Sequence, residues 1–333
     1  MNVISGDVGG TKTLLQIAEV HDGAVRSIHE QRFDNHRFAS FDEIARCFLD
    51  DAPADVMGDL QAVCIAVAGP IEDTEDGRRV DVTNLPWSLE EPSLATLFDT
   101  RRVRLINDFE AVAYGTEALT SADFLVLQRG LDQPHGNRMT LGAGTGFGCC
   151  QSLWQGDRYL VMPSEAGHAD FAPTDATQIA LLSHLLDNAS QVEIEQVLSG
   201  PGLKTIFDFL RESRGISASV GLRDAMHDGD AVAAIAQFGK TQRDPLASDA
   251  LDTFVKIYGA VAGNLALLCL PYGGIFIAGG IAPKLSAVLA DGRFTTAFRN
   301  KGKMSALMAR FPLHIVRDEG VGMKGAALVA SRI

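Results

Sequence analysis

NVISGDVGGTKTLLQIAEV, residues 2–20, sets two apolar runs around a pair of glycines. Asn2–Val8 and Thr13–Val20 read as strands joined at Gly9-Gly10, a hairpin signal. Glycines at a strand end let backbone N–H groups come close to an anion and tolerate positive φ. Thr11 adds a hydroxyl donor. A glycine pair alone would be an ordinary hairpin turn. The unusual member is Asp7, because a carboxylate beside a phosphate loop makes sense when Mg²⁺ lies between the two. Gly6, Asp7, Val8, Gly9, Gly10 and Thr11 are therefore candidate phosphate-loop residues, with Asp7 holding the metal through water. Lys12-Thr13 is not the end of a Walker A loop. That motif needs Gly-Lys-Ser/Thr and a following helix, whereas Thr11 precedes Lys12 and a strand follows.

Working outward, a similar arrangement returns near Gly142. Met139–Leu141 and Gly148–Trp154 read as strands around Gly142-Ala-Gly144-Thr145-Gly146-Phe-Gly148. A dinucleotide loop is disfavoured, since the sixth position of G-x-G-x-x-G is Phe147 and no helical pattern follows. Gly144, Thr145 and Gly146 fit a second phosphate-gripping hairpin better. The two units suggest a duplicated half-fold. Gly279-Gly280 follows the apolar strand Gly274–Ala278 and precedes a helix expected over Ile281–Leu289. Such a pair suits either a planar ring lying on the backbone or close strand–helix packing.

The rest of the chain alternates. Ser40–Leu49 has helical spacing through Phe41, Ile44, Ala45 and Phe48, and Val63–Ala68 and Val103–Ile106 are continuous apolar runs of buried strands. Phe124–Leu127 and Tyr159–Met162 read as strands. Helices are expected over Thr174–Asn188, Val192–Leu198 and Leu203–Arg214, and Asp244-Pro245 opens a long one reaching about Leu270. A strand over Pro312–Asp318 and a helix over Val321–Ser331 close the chain. Strands alternating with helices imply α/β layers. A length of 333 residues implies about two domains. No Gly/Ser or Pro linker separates them, so they are expected to pack around a cleft. The expected division is 1–108 plus 312–333 as a smaller α/β domain and 109–311 as a larger one.

Bulk composition narrows the function classes. Hydrophobic residues make up 46% and charged residues 21%, ordinary for a folded soluble chain. A net charge of −13 argues against a nucleic-acid partner and against an anionic membrane surface. The most apolar run, Ala260–Leu270, is broken by Gly263 and Asn264 and is too short to span a bilayer. Five cysteines, few and odd in number, read as a reduced intracellular set, and the N-terminus shows no signal-peptide pattern. Cytoplasmic residence is the expectation.

Asn107-Asp108 stands at the end of an apolar strand, where α/β enzymes place functional groups. An isolated Asn-Asp there would be read as a helix N-cap, since Phe109–Tyr114 looks helical. Other polar residues hold similar places: Asn84 in TNLPW, Glu165 and His168 in SEAGH, and Glu195 shortly before Ser199-Gly200-Pro201-Gly202. A sugar offers hydroxyls that both donate and accept, and Asn, Asp, Glu and His are suited to match them. A carboxylate base also suits phosphoryl transfer, in which the protein mainly positions the acceptor. His168 as a zinc ligand is disfavoured, because no Cys or His partner stands at metal-binding spacing.

Together these residues resemble the bacterial glucokinase family, of the actin- and hexokinase-like (ribonuclease-H-like) ATPase fold. Gly6–Thr11 resembles the first phosphate motif, Leu105–Gly115 the first connecting motif with its catalytic Asp at Asp108, and Leu141–Gly148 the second phosphate motif. Gly274–Gly280 resembles the adenosine motif, which brings Gly279 and Gly280 to the nucleotide, and Asp318–Ala330 the second connecting helix. EAGHADFAP over Glu165–Pro173 and VLSGPGL over Val197–Leu203 are similar to stretches found in glucokinases of this type. The resemblance implies ATP and Mg²⁺ as cofactors, glucose as acceptor, and Asp108 as general base. It implies Asn84, Asn107, Asp108, Glu165, His168 and Glu195 as sugar contacts, and a homodimer. The Cys-rich zinc motif of the related repressor/kinase family does not follow Glu165-Ala166-Gly167-His168, and neither a zinc site nor a DNA-binding extension is expected. Lys12, Ser164 and Ala166 depart from the residues common in the family. Two alternatives stand beside this reading: a kinase for another hexose or amino sugar, and a sugar sensor on the same fold.

Overall fold

A computed structural model describes residues 1–333 except 54, 55, 57 and 132. The chain forms two compact units. The first comprises Met1–Ala122, Val161–Pro163 and Asp318–Ile333, and the second Asp123–Leu160 and Ser164–Arg317.

The first unit is built on β1 (Asn2–Val8), β2 (Lys12–His21), β3 (Ala24–Asp34), β4 (Leu60–Val67) and β8 (Val103–Asn107), in the order β3-β2-β1-β4-β8. β2 is antiparallel to β1 and β3, while β1, β4 and β8 run parallel. Side chains alternate across a strand, so the sheet buries two separate sets. Ile4, Val8, Leu15, Ile17, Ile65 and Val67 pack on one face with Phe41, Ile44 and Phe48 of the helix Phe41–Asp51. Val3, Ala18, Ala62, Cys64 and Ala66 pack on the other with the helix Val321–Ala330. An excursion between β4 and β8 forms a small antiparallel sheet of β5 (Glu72–Thr74), β6 (Gly77–Asp81) and β7 (Ser88–Glu90).

The second unit repeats the frame. β9 (Phe124–Gln128), β10 (Arg138–Ala143), β11 (Phe147–Trp154), β12 (Tyr159–Ser164), β13 (Gly274–Ala278) and β14 (Leu313–Val316) lie in the order β12-β11-β10-β13-β14-β9. β10 is antiparallel to β11 and parallel to β13, which is parallel to β14. Leaving out the extra edge strand β9, both sheets have a hairpin pair followed by two parallel strands, in the same order. The duplication suggested by the two glycine loops is thus present in the topology, and the fold is the actin/hexokinase-like one. The helix Pro245–Cys269 is long and apolar enough to cross a membrane, yet 67% of its apolar window is buried within the protein. Phe254, Tyr258 and Val261 put it in the core of this unit.

Four details differ from the sequence reading. The helix expected over Ile281–Leu289 is a run of turns ending in a short helix, Ser286–Leu289. Gly279 has φ +79°, and the Ile281 N–H goes to Ala143 C=O at 3.2 Å. Pro283, with no N–H of its own, adds to the irregularity. The helix near Val192–Leu198 shrinks to Ile194–Val197, because Val192 C=O and Ile194 N–H are bonded to Phe171 and Ala169. The helix expected from Leu203 begins at Gly200, capped by Ser199. The first unit runs on to Ala122 and resumes at Asp318, not at 108 and 312, because β14 pairs with β13 and β9.

Candidate active site

In the first unit β1, β4 and β8 end together, with Val8 opposite Val67 and Val67 opposite Asn107. The Gly9 N–H donates to Lys12 C=O at 3.0 Å, closing the hairpin. Asn35, only 1% exposed, pins this loop from outside the motif. Its Nδ2 donates to Gly9 C=O at 2.8 Å, and its backbone N–H to Thr11 C=O at 3.0 Å. Gly6 serves packing: a Cβ there would come within 2.8 Å of both Ile65 and Leu15.

The loop lies against the turn that carries Asn84. A Cβ on Gly10 would stand 3.3 Å from Thr83 C=O and 3.5 Å from Asn84 Cβ. Asn84 has φ +64°, a left-handed conformation that Asn tolerates better than most residues. The Thr83 N–H donates to Ala68 C=O at 3.0 Å, and Asn107 Nδ2 to Gly69 C=O at 3.2 Å. The glycine hairpin, the Asn84 turn and Asn107-Asp108 are thereby joined at one end of the sheet.

Asn107 and Asp108 both bond the start of the helix that follows β8. Asn107 is the N-cap of the helix Asp108–Gly115, its Oδ1 accepting from Phe109 N–H at 2.8 Å and Glu110 N–H at 3.3 Å. Asp108 is the first helical residue, and its Oδ1 also accepts from Phe109 N–H at 2.8 Å. Burial pushes the Glu110 carboxyl up, opposed by Arg78 and by a backbone hydrogen bond from Asn107. Burial also pushes the Asp7 carboxyl up, with Lys12 opposing.

In the second unit the remaining candidates gather around the β10–β11 hairpin. The Gly144 N–H donates to Gly146 C=O at 2.8 Å, and Gly144 C=O accepts from Gly200 N–H at 2.8 Å. The helix Gly200–Arg214 thus points its first N–H at the loop. A Cβ on Gly279 would stand 2.8 Å from Ala143 C=O, and one on Gly144 would stand 3.9 Å from Gly280 N. Glu195 Oε2 accepts from Phe147 N–H at 2.7 Å, and any side chain on Gly146 would overlap that carboxylate. A Cβ on Gly167 would stand 2.6 Å from Phe147 C=O, so the SEAGH turn packs directly on the hairpin. Ser164 Oγ donates to Cys149 C=O at 2.9 Å. His168 Nδ1 is 2.8 Å from Glu193 Oε2, and its Nε2 is 3.8 Å from Glu165 Oε2.

The structure therefore joins Gly6–Thr11, Asn84, Asn107 and Asp108 in one unit, and Gly144–Gly146, Glu165, His168, Glu195, Gly279 and Gly280 in the other. Asn35, Gly69, Glu193 and Gly200 were not singled out from sequence as site residues. Only Gly200 carried a usable signal, the Ser-Gly-Pro-Gly of a capped helix start. No group of three or more metal-ligating side chains occurs among the described residues.

The profile of the family described as Glucokinase matches residues 4–333. The chain belongs to the glucokinase family. Membership makes it a hexose kinase. It is 37% identical to a glucokinase of Nostoc sp., over 99% of each chain, and 38% identical to one of Synechocystis sp., over 100% of this chain and 98% of that one. Among solved structures it is similar to a glucokinase from an Antarctic psychrotroph, with a TM-score of 0.85 at 28% identity over 100% and 99% of the two chains. A ROK family glucokinase from Streptomyces griseus, solved with glucose and AMPPNP, shares the fold at a TM-score of 0.64 and 19% identity.

Proposed function

We propose that this glucokinase family member transfers the γ-phosphoryl group of ATP to the 6-hydroxyl of D-glucose, with Asp108 as general base. The observation that carries the assignment of Asp108 is its place at the end of β8, where Asn107-Asp108, the glycine hairpin and the Asn84 turn are joined. Asn107 and Asp108 both accept from the Phe109 N–H at the start of the helix, and the assignment rests on where the Asp108 carboxylate stands. In the proposed step Asp108 accepts the hydroxyl proton as O6 bonds to the γ-phosphorus, and the bond from that phosphorus to the β-phosphate oxygen breaks to release ADP. Asn84, Asn107, Glu165, His168 and Glu195 orient the sugar, and the two glycine hairpins hold the phosphates through backbone N–H groups.

Mg²⁺ fits the residues present. Asp7 is a half-buried carboxylate whose ionisation burial opposes, and a nearby cation would favour its charged form. With no cluster of three ligands among the described residues, the ion would be held by Asp7 through water and by substrate phosphates, a habit of Mg²⁺. Its chemistry would be to neutralise charge on the β- and γ-phosphates. Nucleotide phosphates are also assigned to Gly144, Thr145 and Gly146, beside the start of the helix Gly200–Arg214, where a dipole favours anions. The adenosine is assigned to Gly279-Gly280.

Cytoplasmic residence and a homodimer belong to the same proposal, and light scattering at working concentration tests the dimer. A panel of hexoses and amino sugars ranked by kcat/KM tests the substrate. Glucose should lead it, and a better mannose, fructose or glucosamine would replace glucose in the assignment. Sugar binding without ADP release would leave a sensor in place of a kinase.

A further inference from the structure

Glu193 lies between EAGHADFAP, residues 165–173, and VLSGPGL, residues 197–203. It is held from both sides. Its residue forms an antiparallel bridge with Asp170. The Ile194 N–H donates to Ala169 C=O at 2.9 Å and the Phe171 N–H to Val192 C=O at 2.8 Å, so segment 169–171 is zipped to 192–194. The backbone N–H of Glu193 is taken by Gln196 Oε1 at 3.2 Å. Gln191 Nε2, two residues earlier, binds Asp170 Oδ1 at 2.8 Å. From this frame the Glu193 carboxylate reaches His168 Nδ1 at 2.8 Å. The other ring nitrogen is then on the side of Glu165, 3.8 Å from its Oε2.

We propose that Glu193 is a positioning residue for hexose binding: by accepting the Nδ1 hydrogen of His168 it fixes the ring so that Nε2–H is offered as a donor to a sugar hydroxyl. This rests on the reading of His168 as a hexose contact. A ring nitrogen tied to a carboxylate keeps its orientation, and the carboxylate favours the doubly protonated ring, in which Nε2 carries a hydrogen as well as Nδ1.

The charge around the ring supports a donor at Nε2. The hydrogen bond that His168 donates to Glu193 holds the His168 pKa above its ordinary value, burial opposes, and the charges of Glu193, Glu195 and Glu165 add to the rise. Those three carboxylates are the charged groups that face it, from its own turn and from the segment 193–195. β11, which also packs on the turn, reads FGCCQSLW and contains no acid or base other than the Cys thiols. The Asp170 carboxylate is engaged by Gln191. The sign follows directly. Below the raised pKa the Nε2 hydrogen is present and hexose KM is flat; as pH rises through that pKa the hydrogen is lost and KM climbs.

The test is the hexose KM of the full-length enzyme against pH, for wild type, Glu193→Gln and His168→Gln, with His168 titrated by NMR in the first two. In Glu193→Gln the neutral partner can still accept from Nδ1 but no longer favours the charged ring. The climb in KM should begin at lower pH, with KM about tenfold above wild type on the alkaline side, agreement at low pH, and kcat little changed. The His168 titration should move down by the same displacement. If His168→Gln raises hexose KM while Glu193→Gln keeps the wild-type profile and His168 titration, the Glu193 role is overturned and the hexose contact stands. If His168→Gln leaves hexose KM unchanged, the underlying reading of His168 fails and the Glu193 role falls with it.

Discussion

The two sheets share one strand order but end their strands in different chemistry. In the first, the penultimate residue of β1 is Asp7 and the last parallel strand runs into Asn107-Asp108. In the second, the penultimate residue of β10 is Gly142, and the parallel strand β13 runs into Gly279-Gly280. Where Asp108 follows β8, Asp318 follows β14, at the point where the chain re-enters the first unit. That second carboxylate is bound by Lys324 Nζ and accepts the Gly320 N–H at 2.8 Å. Both aspartates accept a backbone N–H at a helix start, Asp108 from Phe109 and Asp318 from Gly320, and Asp318 also meets Lys324. The comparison teaches that a repeated frame fixes where strand ends lie, while the residues placed there differ, and the proposed roles differ with them.

The sharpest way to break this contrast is to neutralise the two aspartates in turn. Asp108→Asn should lower kcat by about 10²–10⁴-fold, the range of a lost general base, with ATP binding retained. Near-normal turnover would remove Asp108 from that role. The same change at Asp318 should leave kcat within a few-fold, and a collapse there would erase the distinction.

Glycines that hold the frames together give effects of intermediate size. Gly146→Ala should raise hexose and ATP KM together, roughly tenfold, because the new methyl displaces the Glu195 carboxylate and with it the Phe147 N–H of the loop. A rise confined to one substrate would separate the two roles of that hairpin. Gly325 packs on the helix led by Asp108: a Cβ would overlap Ala111 C=O. Gly325→Ala should cost about 1–3 kcal/mol by overpacking, read as a lowered Tm, together with a loss of kcat as Asp108 moves. An unchanged Tm would show that the two helices can separate without penalty.

Asn35→Ala should have the smallest effect. It removes the bond to Gly9 C=O but leaves the backbone bond to Thr11. About 1 kcal/mol of stability and a few-fold in ATP KM are expected. A change in hexose KM instead would place Asn35 with the sugar.

Much of this was legible in the chain. Continuous apolar runs such as Val63–Ala68 and Val103–Ile106 gave their strands because both faces are buried, and Gly9-Gly10 marked its hairpin. Asn107-Asp108 reads as either cap or chemistry; both side chains accept a helix-start N–H, and the chemistry is proposed for Asp108. What failed was decided by long-range partners. The apolar spacing through Ile281, Leu285 and Leu289 looks helical, but Ile281 gives its N–H to Ala143, over a hundred residues away. The strand near residue 313 carries no mark of which sheet it joins, so the unit boundary was misplaced. Glu193 is one acid in a QVEIE run, and nothing local shows that its carboxylate meets His168.

The most direct measurement is the product of the wild-type protein given ATP, Mg²⁺ and D-glucose, followed by phosphorus NMR beside a coupled ADP assay. One ADP should form per sugar consumed, with the phosphate on O6 and little ADP released when the hexose is omitted. Phosphate on another hydroxyl, or ADP released at the same rate without sugar, would contradict the account.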